Sequence, residues 1–397
     1  MADDEDSPVF NNPELVETLA KSNINFALTL YKRVAVHDEN VLLSPLGLSA
    51  VLAMALGGAS GETAAQMKQT MHLDAFEENE PVHLAFQDVL TSVGAQGDGE
   101  EDEAVPTQLR MAHKLFLQSD VPIADEYTAF LEQHYGGVAI DGVNFAQEAD
   151  EARETIDAWV AEATDGKVVE MIGEGVVDLF SVLVLISAVY FKGKWTAPFQ
   201  SGSTKLVPFQ SGGGKKAMVD MMYTQGLFRL ATNDDLGCQI LDLPFAGGRL
   251  HMLVLLPTDP EGLAELEDKL DADALDSALA AMEETQVRVS LPRFHVDCQF
   301  SLSDVLAELG MADLFTLDAA DLSLLSGEEG LMASAALHRA FIEVDEGEGD
   351  SEEGGDEEGQ EEFVADHPFL FMVRDDASQI LILLGRLQTP VIEELVP

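Results

Sequence analysis

A run of thirteen uncharged, mostly apolar residues, LFSVLVLISAVYF, extends from Leu179 to Phe191 of the 397-residue chain. It is too short to cross a membrane as a helix, which needs about 20 apolar residues. Its content of β-branched residues is typical of a strand that is buried on both faces. The run therefore predicts the central strand of a sheet that is covered on both sides.

Helical and strand periodicities occur in mixed order along the rest of the chain. NINFALTLYKRVA places Phe26, Leu30 and Val34 on one helical face, and in ETIDAWVAEATDGK the same spacing relates Ile156 to Val160. The segment QVRVSLPRFHV instead alternates apolar and polar residues, as a half-buried strand does. SLSDVLAEL opens with a capping-box spacing, which predicts a helix start at Ser301. Together these patterns predict an α+β fold.

The charge is unusual, because 73 acidic residues against 21 Lys and Arg give a net charge of −52. Phosphates would be repelled, so neither nucleic acid nor a membrane surface is an expected partner. Such a field destabilises a compact state in dilute salt, but at about 1 M salt the Debye length falls to about 3 Å and screens it. We interpret the chain as a halophile-type acidic protein; an acidic mesophilic protein is the alternative.

No combination of residues that would indicate a catalytic or metal centre is found. The zinc-protease motif HExxH, the GxSxG elbow, the phosphate loop and a complete dinucleotide fingerprint are all absent from the sequence. Cys238 and Cys298 lack metal-ligand spacing, and we expect buried apolar residues rather than a disulfide or a redox site. We therefore expect no metal and no cofactor.

Two segments combine acids with glycine. Residues 94–107, GAQGDGEEDEAVPT, are expected to form an acidic surface loop. From Asp345 to Glu362, eleven of eighteen residues are acidic and five are glycine, which indicates a solvated, flexible loop because little apolar surface is available for burial. Loose Ca²⁺ binding is the alternative, although the ordered ligands of an EF-hand are missing.

Five blocks along the chain resemble the serpin family, in that family's order, from about Asn25 to Pro390. The last block contains the family's carboxy-terminal signature, with His367, Pro368 and Phe369. The blocks are NVLLSPLGLSAVLAMALGGASGETAAQM, VYFKGKWTAPF, ILDLPFAGGRLHMLVLLP, VSLPRFHVDCQFSLSDVLAELGMADLF and FVADHPFLFMV, the last being followed by ILILLGRLQTP.

The resemblance implies one serpin domain at residues 13–397, after an acidic extension at 1–12. It implies three β-sheets, eight or nine helices and an exposed reactive loop at 346–366. In inhibitory serpins a target serine protease cleaves this loop, and the loop inserts into the largest sheet before the acyl-enzyme is hydrolysed. The nucleophile belongs to the protease, so the partner is that protease and the serpin, expected here to be a monomer, is not an enzyme.

The resemblance identifies a hinge at the start of the loop, but the hinge departs from the family pattern. Glu346 matches the hinge glutamate, whereas Glu348 stands where a glycine is expected, between Gly347 and Gly349. Insertion would bury at least three carboxylates in either register. Neutralising each costs about 3.7 kcal/mol at pH 7, or about 11 kcal/mol for three. A non-inhibitory serpin that binds or protects something else is therefore the alternative function.

The bait candidates are placed at the end of the loop. No Lys or Arg lies between Arg339 and Arg374, so a trypsin-like target is not expected. A Glu-specific, subtilisin-like or chymotrypsin-like protease fits better. The candidate bait residues are Glu361, Glu362, Phe363 and Val364.

The resemblance also identifies two sites that control sheet opening. Ser44, Ser187 and His338 correspond to the family's shutter, whose second serine is replaced by Gly47. Trp195 corresponds to the breach, where the loop enters the sheet. A core histidine and a packed aromatic are the alternative interpretations of His338 and Trp195.

The compartment is left with two alternatives. The start of the sequence, MADDEDSPVF, lacks the basic and apolar stretches of a secretory signal, which indicates a cytoplasmic protein. The family resemblance, in contrast, suggests an extracellular one.

Overall fold

A computed structural model describes residues 10–36, 38–94, 107–136, 139–211, 215–328, 330–347 and 360–390. The described residues contain ten α-helices, of which the last two have only four residues each. The helices are α1 Pro13–Val34, α2 Pro45–Gly58, α3 Gly61–Thr70, α4 Glu80–Gly94, α5 Asp125–Tyr135, α6 Phe145–Ala163, α7 Leu263–Lys269, α8 Ala272–Ala280, α9 Ser303–Leu306 and α10 Ser323–Ser326.

Fourteen strands accompany these helices in the same part of the chain. The strands are β1 Val41–Leu43, β2 Gln108–Gln118, β3 Ile140–Val143, β4 Leu183–Lys192, β5 Lys205–Ser211, β6 Lys215–Asn233, β7 Cys238–Pro244, β8 Leu250–Pro257, β9 Glu283–Pro292, β10 Phe294–Ser301, β11 Ala335–Val344, β12 Glu361–Val364, β13 Phe369–Asp375 and β14 Leu381–Leu387.

The first sheet has five strands in the order β10-β11-β4-β2-β3, with β4 at its centre. Every residue of β4 is buried except the last, Lys192. One face of the strand packs with α6, where Val184 and Ile186 share an apolar cluster with Ile156 and Val160. The other face packs against α2. The predicted central, doubly covered strand is therefore confirmed, although it begins only at Leu183.

The remaining nine strands form two sheets that share β6, so that the fold has three sheets as expected. One part is β12-β9-β6 with β5 on the other edge of β6, and the other part continues from β6 through β7, β8, β13 and β14 to β1. The long strand β6 joins them because its first half pairs with β5 and its last five residues pair with β7. The α+β prediction is confirmed.

Most local predictions agree with these elements. Phe26 and Leu30 are fully buried in α1, and Val287 and Val289 point into the core from β9. The capping box at Ser301 is wrong: Ser301 is the last residue of β10, and α9 follows Leu302 without a side-chain cap. The strand extends through Ser301 instead of ending before it, because Leu302 is fully buried and donates its backbone N–H to Ala336 O at 2.8 Å.

Other predictions fall at the edges of the described residues. Both cysteines are free, and Cys238 is buried as expected while Cys298 is half-buried.

The acidic extension is described only from Phe10, and residues 95–106 of the acidic surface loop lie outside the described residues. None of the helices described here is both long enough and apolar enough to span a membrane.

Candidate functional site

The predicted reactive loop starts at the end of β11 and returns to the fold as β12. β11 and β4 are parallel neighbours and pair directly from Ala335 with Val184 to Glu343 with Lys192, so no strand lies between them. We call this pairing the seam. Residues 348–359, which include the predicted hinge residues Glu348 and Gly349, lie outside the described residues.

Glu346, the predicted hinge glutamate, is held tightly although it lies at the end of the sheet. Its side chain is only 9% exposed and forms an ion pair with Arg293. Thr204 Oγ1 donates to the same carboxylate at 2.6 Å, and Phe199 N donates to Glu346 O at 2.9 Å. Burial alone would raise the pKa of Glu346, but the bonds from Arg293 and Thr204 outweigh it and lower the pKa. The carboxylate is therefore ionised at neutral pH.

Asp345, just before this glutamate, ties the chain to β4 and to the breach. Its carboxylate lies 2.6 Å from Lys192 Nζ and accepts from Gly347 N at 2.9 Å. Its carbonyl oxygen accepts from Trp195 Nε1 at 2.8 Å. We call Lys192, Trp195, Arg293, Asp345 and Glu346 the hinge anchor. The group must come apart if the segment after β11 is to move into the seam.

Trp195 is a packed aromatic as well as a hydrogen-bond donor. It is 3% exposed, stacks on Phe245 with ring centroids 4.5 Å apart, and meets Phe199 edge-on at 5.6 Å. Gly193 makes this stack possible, because a Cβ at that position would lie 2.1 Å from the Phe245 ring. Gly347 has φ of +73°, which favours glycine, and lies against Trp195. Trp195 is therefore a packed aromatic that also holds the segment after β11, and its role as the breach stays a prediction.

Ser44 and His338 link the middle of the seam to α2. Ser44 N donates to His338 Nε2 at 2.9 Å, so Nδ1 carries the proton and donates to Ser187 Oγ at 3.0 Å. Ser44 Oγ donates to Ile382 O at 2.7 Å and caps α2 by accepting from Gly47 N. Burial and a nearby histidine lower the pKa of His338 to about 3. All three predicted shutter residues thus meet at one place.

Gly47, where the family has a serine, is packed too closely to accommodate a side chain. A Cβ at this position would lie 2.9 Å from Val189 Cγ2 and 3.0 Å from the hydroxyl oxygens of both Ser44 and Ser187. Such distances are shorter than normal carbon contacts, so a side chain here would displace the shutter. The predicted shutter residues are therefore packed closely around a glycine.

Several residues of this site were missed by the sequence reasoning, among them His113 and Arg293. His113 lies on β2 opposite Ser187, and Arg293 follows β9. The alternation of Leu109, Met111 and Leu115 with polar neighbours could have placed His113 on the inward face of its strand. Nothing local marks Arg293, because its partner is 53 residues away.

The predicted bait residues form β12, which pairs in parallel with β9. Phe363 is fully buried, so its side chain is not accessible to a protease in this structure, and its bait role stays a prediction. Glu361, Glu362 and Val364 are exposed, but their backbones belong to the sheet.

The signature residues anchor the chain after β12. His367 Nε2 donates to Pro257 O at 2.7 Å, and its Nδ1 lies 2.8 Å from Asp366 Oδ1. Phe369 begins β13 and is fully buried against Phe294. Within the described part of the chain, no three His, Cys, Asp or Glu side chains are grouped so as to hold a metal ion. The site consists of a closed seam with a segment fastened at both of its ends.

Comparison with known proteins shows a family match over most of the chain. A model of the serpin family (serine protease inhibitor) matches residues 21–390. The leukocyte elastase inhibitor of Bos taurus is 35% identical over 390 residues, and Serpin B3 of Homo sapiens is 33% identical over 399, each alignment covering 94% of this chain and all of the relative. Uncleaved ovalbumin has a TM-score of 0.85 at 31% identity, covering 94% of this chain, and maspin has 0.87 at 27%, covering 95%; both are covered completely.

Proposed function

This chain belongs to the serpin family, and on that premise we propose that it is a monomeric inhibitor of a serine-type endopeptidase, with the segment between β11 and β12 as its bait. Serpins inhibit proteases and supply no catalytic residue of their own, so we propose no enzymatic activity for this chain. The nucleophile would be the serine of the target.

The parallel seam is the observation that carries this proposal. A segment that folds back from the end of β11 runs antiparallel to β11, and because β4 is parallel to β11 it also runs antiparallel to β4. It would thus replace one parallel ladder by two antiparallel ones, which are slightly more stable per residue. A closed parallel pair next to a long connection is therefore able to accept a further strand.

We propose that the scissile bond precedes Gln360 and that the target accepts an acidic or small residue. The sequence from 348 to 359 is EGDSEEGGDEEG, without Lys or Arg. A Glu-specific protease fits this sequence best, and a subtilisin-like protease of broad specificity is the next choice. The burial of Phe363 leaves a chymotrypsin-like target with little support.

Incubation with purified proteases in molar KCl tests the proposal. We expect a Glu-specific or subtilisin-like protease to form a complex with this chain that survives denaturing gel electrophoresis, because the acyl bond is covalent. Trypsin is the matched control and should form none. If every protease only cleaves the loop and is released fully active, the inhibitory function is wrong.

A non-inhibitory serpin is the second candidate, and the loop carboxylates favour it. Alternate residues of an inserted strand face the core. One register would bury Glu353, Glu357 and Glu361, and the other would bury Asp350, Glu352, Asp356, Glu358 and Glu362. Each costs about 3.7 kcal/mol to neutralise at pH 7. In this case the loop would be cleaved without entering the seam.

Thermal unfolding of the protein after a single cut in the loop separates the two candidates. Insertion should raise the melting temperature by tens of degrees, because a new strand completes two ladders, whereas a cut without insertion should leave it nearly unchanged. The variant Glu353→Thr/Glu357→Thr/Glu361→Thr clears one face, and Glu352→Thr/Asp356→Thr/Glu358→Thr is its charge-matched control. If neither variant gains stability on cutting, carboxylates are not what limits insertion.

We also propose that the acidic surface adapts this serpin to high salt. A net charge of −52 is strongly self-repelling at low ionic strength and is screened at about 1 M, where the Debye length is about 3 Å. We expect the melting temperature to rise steeply between 0.1 M and 2 M KCl. A melting temperature that barely changes over this range would contradict the proposal.

A further inference from the structure

A row of three polar side chains crosses the middle of the five-stranded sheet. His113 on β2 pairs with Ser187 on β4, and Ser187 pairs with His338 on β11. Residues that pair across adjacent strands point to the same face, here the face covered by α2. With strands about 4.8 Å apart, the two histidine backbones are about 10 Å from each other. The seam runs between the second and third members of this row.

The two histidines differ in their hydrogen bonds. His338 is fully buried and uses both ring nitrogens, one with Ser44 and one with Ser187. Both ring nitrogens of His113 are buried, and neither has a hydrogen-bond partner among the described residues. An imidazole without partners is stable in such a place only while it is neutral, since an uncompensated buried charge is far more costly than a buried dipole.

Among the residues that the structure describes, no acidic group is in position to stabilise a charge on this row. The helix that covers it, α2, has the sequence PLGLSAVLAMALGG and contains no ionisable residue. The neighbouring Lys114 and Arg339 lie on the opposite face, where they bind Asp141 and Asp297. Phe300 is the β10 partner of His338. Burial lowers the pKa of His113 to about 4, and the nearby His113 contributes to lowering that of His338.

We propose that the His113–Ser187–His338 row is a proton-sensitive lock, which keeps the seam closed while both histidines are neutral and opens the seam when they take up protons. Separation of β4 from β11 breaks the bond between Ser187 and His338 and admits water to the row. The open seam therefore binds protons more readily than the closed one. By linkage, acid favours whichever state binds more protons.

The sign and size of the effect follow from the depressed pKa values. The closed seam loses stability as the pH falls below about 6.5, the ordinary value for a solvated histidine, and the loss continues until the closed form itself titrates near 4 or below. Between pH 7 and pH 5 the opening equilibrium should rise about 20-fold for each histidine. For both together the rise is several-hundred-fold.

Hydrogen exchange measured by mass spectrometry in molar KCl tests this lock on the full chain. We expect protection of β4 and β11, corrected for intrinsic exchange, to fall between pH 7 and pH 5, while the β13–β14 pair changes much less. His113→Gln should make the rise in seam opening between pH 7 and pH 5 about 20-fold smaller, because glutamine is polar but does not titrate. His295→Gln, at a half-buried position on β10, is the matched control and should keep the full response.

The outcomes distinguish titration of the histidine row from titration of carboxylates, and they do not depend on whether the protein inhibits a protease. Carboxylates titrate identically in both glutamine variants, so equal responses in the two would overturn the lock. Equal loss of protection in β4–β11 and β13–β14 would overturn it as well. If His113→Gln does not fold, His113→Asn and His338→Gln give the same comparison. The proposed inhibitory function would use the same seam. Hydrogen exchange is measured without a protease, however, so this test remains valid even if the protein does not inhibit one.

Discussion

The two ends of one strand pair are held closed by different physics. At the end of β11 the hinge anchor uses ionised groups, and Lys192, Asp345 and Arg293 are each between a third and a half exposed. In the middle of the seam His338 is fully buried from water and forms hydrogen bonds only with neutral partners. Apart from the Glu346 carboxylate, which is buried but paired with Arg293, charge is thus found where water still reaches, and neutral hydrogen bonds are found where it does not.

The difference teaches which solution variable acts on each region. Ion pairs at half-exposed positions are weakened by salt, whereas buried neutral bonds are screened much less. Protons act in the opposite way. The hinge carboxylate keeps its charge down to low pH, whereas the buried histidines stay neutral in the closed seam and are protonated more readily when it opens, so acid favours opening. Salt should therefore loosen the end of the seam, and acid its middle.

Trp195→Ala should have the largest effect of the single substitutions, because it removes an apolar anchor that neither salt nor acid can reach. Loss of a buried tryptophan typically costs about 3–5 kcal/mol in the free energy of unfolding. The measurement is denaturant unfolding in 2 M KCl, where most of the net charge is screened. Phe180→Ala is the control, since Phe180 is 75% exposed and should cost little.

Trp195→Phe separates packing from hydrogen bonding at the same position. It keeps an aromatic ring against Phe245 but removes the donor to Asp345 O. We expect it to recover most of the lost stability while leaving Asp345 and Glu346 less protected from hydrogen exchange. A phenylalanine variant as unstable as the alanine variant would show that the ring is not the main contribution.

His338→Ala comes next, with an expected loss of about 1–3 kcal/mol, since the buried N–H of Ser44 is left without an acceptor. Denaturant unfolding at pH 7 is the measurement, and the loss should be the same in 1 M and 3 M KCl because no ion pair is involved. His295→Ala on the adjacent strand is the control. An unchanged unfolding midpoint for His338→Ala would mean that the shutter bonds do not contribute to stability.

Gly47→Ser restores the family's serine and should nevertheless destabilise this chain, by about 1–2 kcal/mol, the lower part of the range for overpacking a core. The added Cβ would lie within 3.0 Å of Val189 and of two hydroxyl oxygens. Gly202→Ser is the control, because a Cβ there meets nothing within 4 Å. A stabilised Gly47→Ser would show that the closed shutter can widen at no cost.

Local patterns predicted the fold better than they predicted the site. The apolar run gave β4, and periodicity gave α1 and β9, because each of these elements carries its own signal over ten or more residues. The capping box failed at Ser301 because pairing between β10 and β11 extends through that residue. Tertiary context overrides a local signal of two residues more easily than one of ten.

The site depends on pairs that are far apart in the sequence, and these carry no local signal. The partner of Glu346 is Arg293, and His113 reaches the shutter only through the register of β2 on β4. Family resemblance supplied Ser44, Ser187, His338 and Trp195, since each occupies a motif position. It did not supply His113, which lies outside the five blocks, or Arg293, which lies within one of them but has no role that the resemblance assigns. Nor could it foresee that Phe363 is buried within β12.

Glu346→Gln should have the smallest effect and the most informative one. The pair with Arg293 is half-exposed on the arginine side, so we expect a loss of about 1 kcal/mol or less in the free energy of unfolding at 0.5 M KCl. Removal of any single acid also reduces the repulsion within a chain of charge −52, and Glu283→Gln, at an exposed position on β9, measures that general gain. The difference between the two variants isolates the hinge pair. It should shrink towards zero at 3 M KCl, where the Debye length is below about 3 Å, while the loss for His338→Ala stays constant. A difference that does not change with salt would mean that the neutral bond from Thr204 holds Glu346, and the two regions of the seam would then be held by the same physics after all.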